Sequence, residues 1–152
     1  MHDEVSVRIE ASPAAVWSLV SDVTRVGEFS PETFEAEWVG GASGPMLGAK
    51  FRGHVLRNGR PPAYWTDCVV TECVVESAFA FAVQVRGKTV NTWRYGLAAS
   101  SDGAATDLTE SFTLPNTGAV RLYWKVMGKA RGRTNRNGMQ TTLGRIKAVA
   151  EG

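Results

Sequence analysis

The order in which hydrophobic periods follow one another constrains this chain more than any single motif. Val5, Val7 and Ile9 alternate with Ser6, Arg8 and Glu10, the pattern of a half-buried strand. A short helical stretch follows. Ser12 offers an N-cap oxygen, Pro13 suits the first helical position, and Val16, Trp17 and Val20 form an apolar side. Ser21 or Asp22 is placed to cap a second short helix that Gly27 would end. Several period-2 segments come next, and helical spacing closes the chain. That order predicts an α+β fold, with a curved sheet folded around a terminal helix and an apolar space between them.

The strand segments carry aromatics on one parity. Phe34, Ala36 and Trp38 alternate with Glu35 and Glu37, and Phe51, Gly53 and Val55 with Lys50, Arg52 and His54. Asn58-Gly59 signals a hairpin. Tyr64 to Val75 is a long apolar run with room for a bulge. Phe79, Phe81, Val83 and Val85 form the next face, then Asn91, Trp93, Tyr95 and Leu97, then Thr106, Leu108, Glu110, Phe112 and Leu114. Gly40 to Gly48, Gly87-Lys88 and Ser101-Asp102-Gly103 read as turns. Glu28 to Glu32 reads as a loop, because Pro31 restricts the residue before it, and its acids and proline place it at a cavity mouth. Leu122-Tyr123-Trp124 fits either a helix start or a cover on the sheet. From about Lys129 the spacing of Met139, Leu143, Ile146 and Val149 or Ala150 predicts a helix. Gly128, Gly132, Gly138 and Gly144 each weaken it by roughly 1 kcal/mol relative to Ala. Packing on the sheet must therefore hold it.

Composition narrows the class. A chain of 152 residues, 43% hydrophobic and 21% charged, is expected to be a single globular domain over 1–152. No apolar run approaches the roughly 20 residues of a membrane span. Met1-His2-Asp3-Glu4 lacks the start of a signal peptide, so a cytoplasmic location is expected. Cys68 and Cys73 are five apart in one predicted strand, which points them to opposite faces and argues against a bridge. With His2 and His54 they do not make a zinc set, and no metal or cofactor is expected. Eight of the 17 basic residues and one of the 15 acids lie from Arg121 onward, so the tail carries +7 (8 − 1) and the rest −5 (9 − 14). A solvated helix face over an acidic body explains this, and attraction to an anionic ligand or membrane surface explains it too. No aromatic-basic pattern of nucleic-acid binding accompanies it.

Inward parity collects Phe34, Trp38, Phe51, Phe81, Trp93, Tyr95 and Phe112, with Met139 approaching from the helix. Such walls fill a core or surround a greasy ligand, which Tyr95 or an indole N–H can orient. Glu110 is the one charged residue on an otherwise apolar parity, between Leu108 and Phe112. A buried carboxylate needs a partner or a proton. The expected partner is an arginine of the segment Arg131, Arg133, Arg136, or a buried amide or hydroxyl. Asn91 and Asp67 are weaker candidates of the same kind. No Ser-His-Asp set and no phosphate-binding loop is present, and His54 falls on the outward parity.

Ala11-Ser12-Pro13-Ala14-Ala15-Val16-Trp17, Ser21-Asp22-Val23, Glu28-Phe29-Ser30-Pro31-Glu32 and Trp38 carry a family resemblance. Gly48-Ala49-Lys50-Phe51, Trp93-Arg94-Tyr95, Thr109-Glu110 and Asn135-Arg136-Asn137-Gly138-Met139 add to it. Over nearly its whole length the chain resembles the START-like, or Bet v 1-like, superfamily, and within it the polyketide cyclase/dehydrase and lipid-transport group. The resemblance implies a helix-grip fold: about seven antiparallel strands around a long C-terminal helix, with two short helices after the first strand. It implies a bound lipid, sterol or polyketide, and for some members cyclisation or dehydration. Three functions stay open. A binder would carry its affinity on the aromatics. A cyclase or dehydratase would move protons with Glu110 and Tyr95. An interaction protein would act through its basic C-terminal segment, in transient contact with a partner or a membrane.

Overall fold

The computed structural model describes residues 1–152. Strand β1 (His2–Ile9) leads into helix α1 (Pro13–Val20) and a short 3-10 helix (Val23–Glu28). Strands β2 (Thr33–Val39), β3 (Lys50–Val55), β4 (Tyr64–Val74), β5 (Ala78–Val85), β6 (Lys88–Ala99) and β7 (Thr106–Thr113) follow, and helix α2 (Gly118–Glu151) closes the chain. The strands form one antiparallel sheet in the order β1-β7-β6-β5-β4-β3-β2. This is an α+β helix-grip fold, and the expected architecture is the observed one.

Local chemistry sets the helix ends. The Ser12 hydroxyl accepts from the Ala15 amide, and Asp22 accepts from the Thr24 amide and hydroxyl. The 3-10 helix runs one residue past Gly27. Asn58-Gly59 sits inside a 3-10 turn (Arg57–Gly59), in a longer β3–β4 connection than a two-residue hairpin.

Helix α2 begins at Gly118, eleven residues before the apolar spacing becomes regular, with the Thr117 hydroxyl accepting from the Val120 amide. Leu122, Tyr123 and Trp124 are therefore helical. Gly128 is required there, since a Cβ at that position would meet the Trp124 ring at 2.7 Å. The second half of α2 buries Met139, Leu143 and Ile146 against the sheet and α1. Burying these three contributes roughly 5–9 kcal/mol. The four glycines of the helix interior, Gly128, Gly132, Gly138 and Gly144, cost roughly 4 kcal/mol together. Packing wins, as the weak intrinsic propensity requires.

Two apolar clusters leave a space between them. One joins Ile9, Leu19, Val20, Phe29 and Leu108 to Leu143 and Ile146. The other joins Val23 to Phe51, Cys68, Val70 and Phe79 on β3, β4 and β5. The predicted bulge in β4 lies between Val70 and Glu72. It corrects the cysteine geometry. The extra residue flips the parity beyond it, so Cys73 pairs with Phe79 and packs on the same inner cluster as Cys68. Both thiols are free, and burial pushes the Cys68 thiol up from 9.0 to about 12.

Candidate functional site

Between the concave sheet and α2 lies a cavity of about 210 Å³. Strand parity builds its wall. Phe51 and Gly53 of β3, Phe79, Phe81 and Val83 of β5, and Asn91, Trp93 and Tyr95 of β6 point into it, with Glu110 of β7. Helix α2 supplies Arg131, Asn135, Met139, Thr142 and Ile146. The aromatics hold one another edge-on. Phe51 and Phe81 rings lie 5.1 Å apart at 73°, and Trp17 meets Phe79 from behind at 6.2 Å and 84°.

Six of the nine expected lining residues face this cavity: Phe51, Phe81, Trp93, Tyr95, Glu110 and Met139. Three do not. Phe34 falls at a register shift between Thr33 and Glu35. The extra residue turns its ring to the outer face, where it lies 46% exposed and 4.4 Å from His54. Trp38 is half-buried and stands behind Phe51, ring to ring at 5.6 Å, without reaching the cavity. Phe112 points inward but is covered by Trp93 at 4.7 Å and by Trp124 of α2 at 6.5 Å, so it fills the core beyond the cavity. Asp67 is exposed on the outer face. His54 is outward as expected, hydrogen-bonded to Glu35 at 2.8 Å and stacked on Trp65.

The lining also includes residues that periodicity does not reveal. Val23, Val26 and Phe29 come from the 3-10 helix and the loop after it, where no 2- or 3.6-residue period operates. Ser30, Pro31 and Glu32 continue that loop along the cavity. The Ser30 hydroxyl shapes it by accepting from the Glu32 and Thr33 amides. The more exposed lining residues are contiguous: Glu32 bonds Arg131 of α2 at 3.5 Å, Thr33 pairs with Val55, and Val55 pairs with Tyr64. They form the mouth.

At the inner end, Glu110 is buried and has one partner, the Tyr95 hydroxyl, which donates to Oε1 at 3.3 Å. Its Oε2 has none, and neither has the Asn91 side-chain oxygen further along the same wall. Burial pushes the Glu110 carboxyl up from 4.5 to about 8, and the Tyr95 hydrogen bond only partly opposes this. Burial also raises the Tyr95 phenol well above its ordinary range, with the neighbouring carboxylate adding to the rise. The expected arginine partner is ruled out by geometry. Arg131 is held by Glu32, Arg136 by Asp3 at 2.6 Å, and Arg133 donates to the Lys129 carbonyl of its own helix, so none of the three meets Glu110. The alternative, a buried hydroxyl, is the one realised. The arrangement can accept a hydrogen bond at Oε2 when ionised and donate one when protonated.

The structure is thus a sheet gripping a helix around a largely apolar cavity with one buried acid. Residues 2–151 match the family described as polyketide cyclase / dehydrase and lipid transport, and the chain belongs to that family. Comparison with the curated proteins returned no match. Among solved structures the chain is similar to a polyketide-cyclase-like protein of Corynebacterium glutamicum, at 28% identity and TM-score 0.65, covering 97% of this chain and 90% of that one. It also resembles BexL, a di-domain ARO/CYC protein of the BE-7585A biosynthetic pathway, at 14% identity and TM-score 0.75; all of this chain aligns with 48% of BexL. A protein of Nitrosomonas europaea matches at 13% identity and TM-score 0.68, covering 97% and 92%. At the identities of the last two, the likeness shows the fold alone. No helix is long and apolar enough to cross a membrane.

Proposed function

We propose that this chain binds a hydrophobic small molecule of the lipid, sterol or polyketide kind, with its body against the aromatic wall and a polar atom at Glu110. The observation that carries the reading is Glu110 Oε2, buried without a partner beside the aromatic wall of a largely apolar cavity. Leaving such a group unsatisfied costs about 1–3 kcal/mol. A ligand hydroxyl or carbonyl relieves it. Asn91 offers a second polar point on the same wall. The cavity is smaller than the roughly 300–1,000 Å³ of pockets that enclose drug-sized ligands. The inner space therefore takes one end of the ligand, and the remainder passes between the loop and α2.

Tryptophan emission tests this against a panel of fluorescent fatty acids, sterols and aromatic polyphenols. Trp93→Ala is expected to weaken binding by about tenfold or more, the effect of losing a large aromatic contact. Phe34→Ala, on the outer face, is expected to leave affinity unchanged. Failure of the whole panel, or equal effects of the two changes, would overturn the reading.

One observation favours a second reading, a cyclase or dehydratase. Glu110 stands buried within hydrogen-bonding reach of the Tyr95 hydroxyl, and burial raises its carboxyl to about 8, towards the range a proton-transfer group needs. In that case Glu110→Gln abolishes turnover of a bound polyketone and leaves its affinity nearly intact. For a binder, the same change alters affinity and there is no turnover to lose.

A further inference from the structure

The first half of α2 projects an apolar surface that nothing in the chain covers. Leu122 is 64% exposed and Val126 72%, and Tyr123 and Met127 beside them are about half exposed. At 3.6 residues per turn, side chains four apart line up along a helix. Three neighbouring rows result. Arg121, Lys125, Lys129 and Arg133 form a basic row. Leu122, Val126 and Ala130 form the apolar row next to it. Tyr123 and Met127 form the third, which leads to Arg131 at the cavity mouth. The fourth side, through Trp124 and Gly128, turns to the protein, where Trp124 meets Phe112.

The charge on this surface has no internal partner. From Gly118 to Ala150 there is no acidic residue. The ion pairs of α2 use Arg131, Arg136 and Lys147, which leaves all four members of the basic row free. Two such faces brought together would set eight cations side by side, so charge disfavours a second copy of the chain as the cover. An anionic bilayer complements both rows at once. Its lipid phosphates meet the cations and its acyl boundary takes Leu122 and Val126, the arrangement of an interfacial amphipathic helix. We propose that the Gly118–Arg133 half of α2 docks this protein on anionic lipid membranes, with the cavity mouth next to the bilayer surface. The docking goes beyond cavity binding and fails independently of it, since cavity binding is read at Trp93.

The test is co-sedimentation of the full chain with vesicles of phosphatidylcholine alone and of phosphatidylcholine mixed with phosphatidylglycerol, at low and high salt. The expected result is binding to the anionic vesicles only, falling as salt rises. Each basic residue held at an anionic surface strengthens binding by roughly fivefold. The Lys125→Glu/Lys129→Glu variant should therefore lose more than about tenfold. Leu122→Ser/Val126→Ser should lose a comparable factor through the apolar area alone. Val149→Ser, an exposed position elsewhere on the helix, should bind like the unmodified chain. All the changed side chains are solvent-exposed, and circular dichroism melts confirm that each variant folds. The proposal is overturned if the unmodified chain ignores anionic vesicles or if the two double variants bind as well as it does. It is also overturned if sedimentation equilibrium shows a dimer that those variants dissociate, which would give the face to a second copy.

Discussion

Tyr95 and Glu110 stand directly opposite each other on β6 and β7, and the phenol hydroxyl donates to the carboxylate across that pair at 3.3 Å. Each is the other's only polar side-chain partner. The pair carries no countercharge, so desolvation dominates both groups and pushes both pKa values up. A neutral carboxylic acid at the inner end of the cavity is the state this favours near and below neutral pH.

That shift is a statement about stability. The folded-state value for Glu110, about 8, lies above its ordinary 4.5, so the native state binds the proton more tightly than the unfolded chain does. The contribution is fully present below 4.5 and is lost as pH rises through about 8. Each unit is worth about 1.4 kcal/mol, so several kcal/mol are at stake. Glu110→Gln should flatten this dependence and become more stable than the unmodified chain above the upper end of the window. Urea denaturation at the two ends of the window checks it. Parallel pH profiles for the two proteins would show that Glu110 ionises freely in the native state.

The sheet's inner face was legible in the sequence wherever strands run without interruption. Trp93 and Tyr95 on β6, and Leu108 and Glu110 on β7, keep their parity because the β6–β7 ladder has no register shift. Parity fails at bulges. Phe34 and Cys73 lie at or beyond one, and each points opposite to simple alternation. Phe112 shows a different limit, since periodicity gives the face of a side chain but not its depth. Its cover, Trp124, sits in a helical half whose exposed apolar and basic rows mask the usual amphipathic period. The loop side of the cavity, through Val26 and Phe29, has no period at all. Its position depends on tertiary hydrogen bonds such as that from Arg145 to the Phe29 carbonyl.

Gly27 governs that loop side through a close backbone approach. A Cβ there would stand 2.2 Å from the Phe34 carbonyl oxygen, which belongs to the backbone and cannot swing away. Gly27→Ala should therefore separate the 3-10 helix from β2 and destabilise the protein by roughly 1–3 kcal/mol or more. Gly144→Ala, in α2 with open space around it, should instead stabilise by up to about 1 kcal/mol through helix propensity. Thermal melts of the two variants must move in opposite directions. Equal shifts would mean that β2 gives way freely at Phe34.

Arg131 of α2 and Glu32 form an ion pair across the cavity mouth. It is the side-chain link at the mouth between the loop after the 3-10 helix and α2, with a separation of 3.5 Å and both side chains about one-fifth exposed. Exposed pairs contribute about 0.2–1 kcal/mol, and partial burial puts this one towards the upper part of that range. A double-mutant cycle with Arg131→Ala and Glu32→Ala should show a coupling of that size. The larger consequence is kinetic. A hydrophobic probe must pass between these two elements, and breaking the pair lowers the barrier to entering and leaving alike. Stopped-flow tryptophan fluorescence should show both rates rising in either single variant, with the equilibrium affinity nearly unchanged, because neither side chain reaches the Tyr95–Glu110 end. The double variant should be no faster than the singles. Unchanged rates in all three would place the path to the cavity elsewhere, and a loss of affinity without a change in rates would make the pair part of the binding surface instead of its latch.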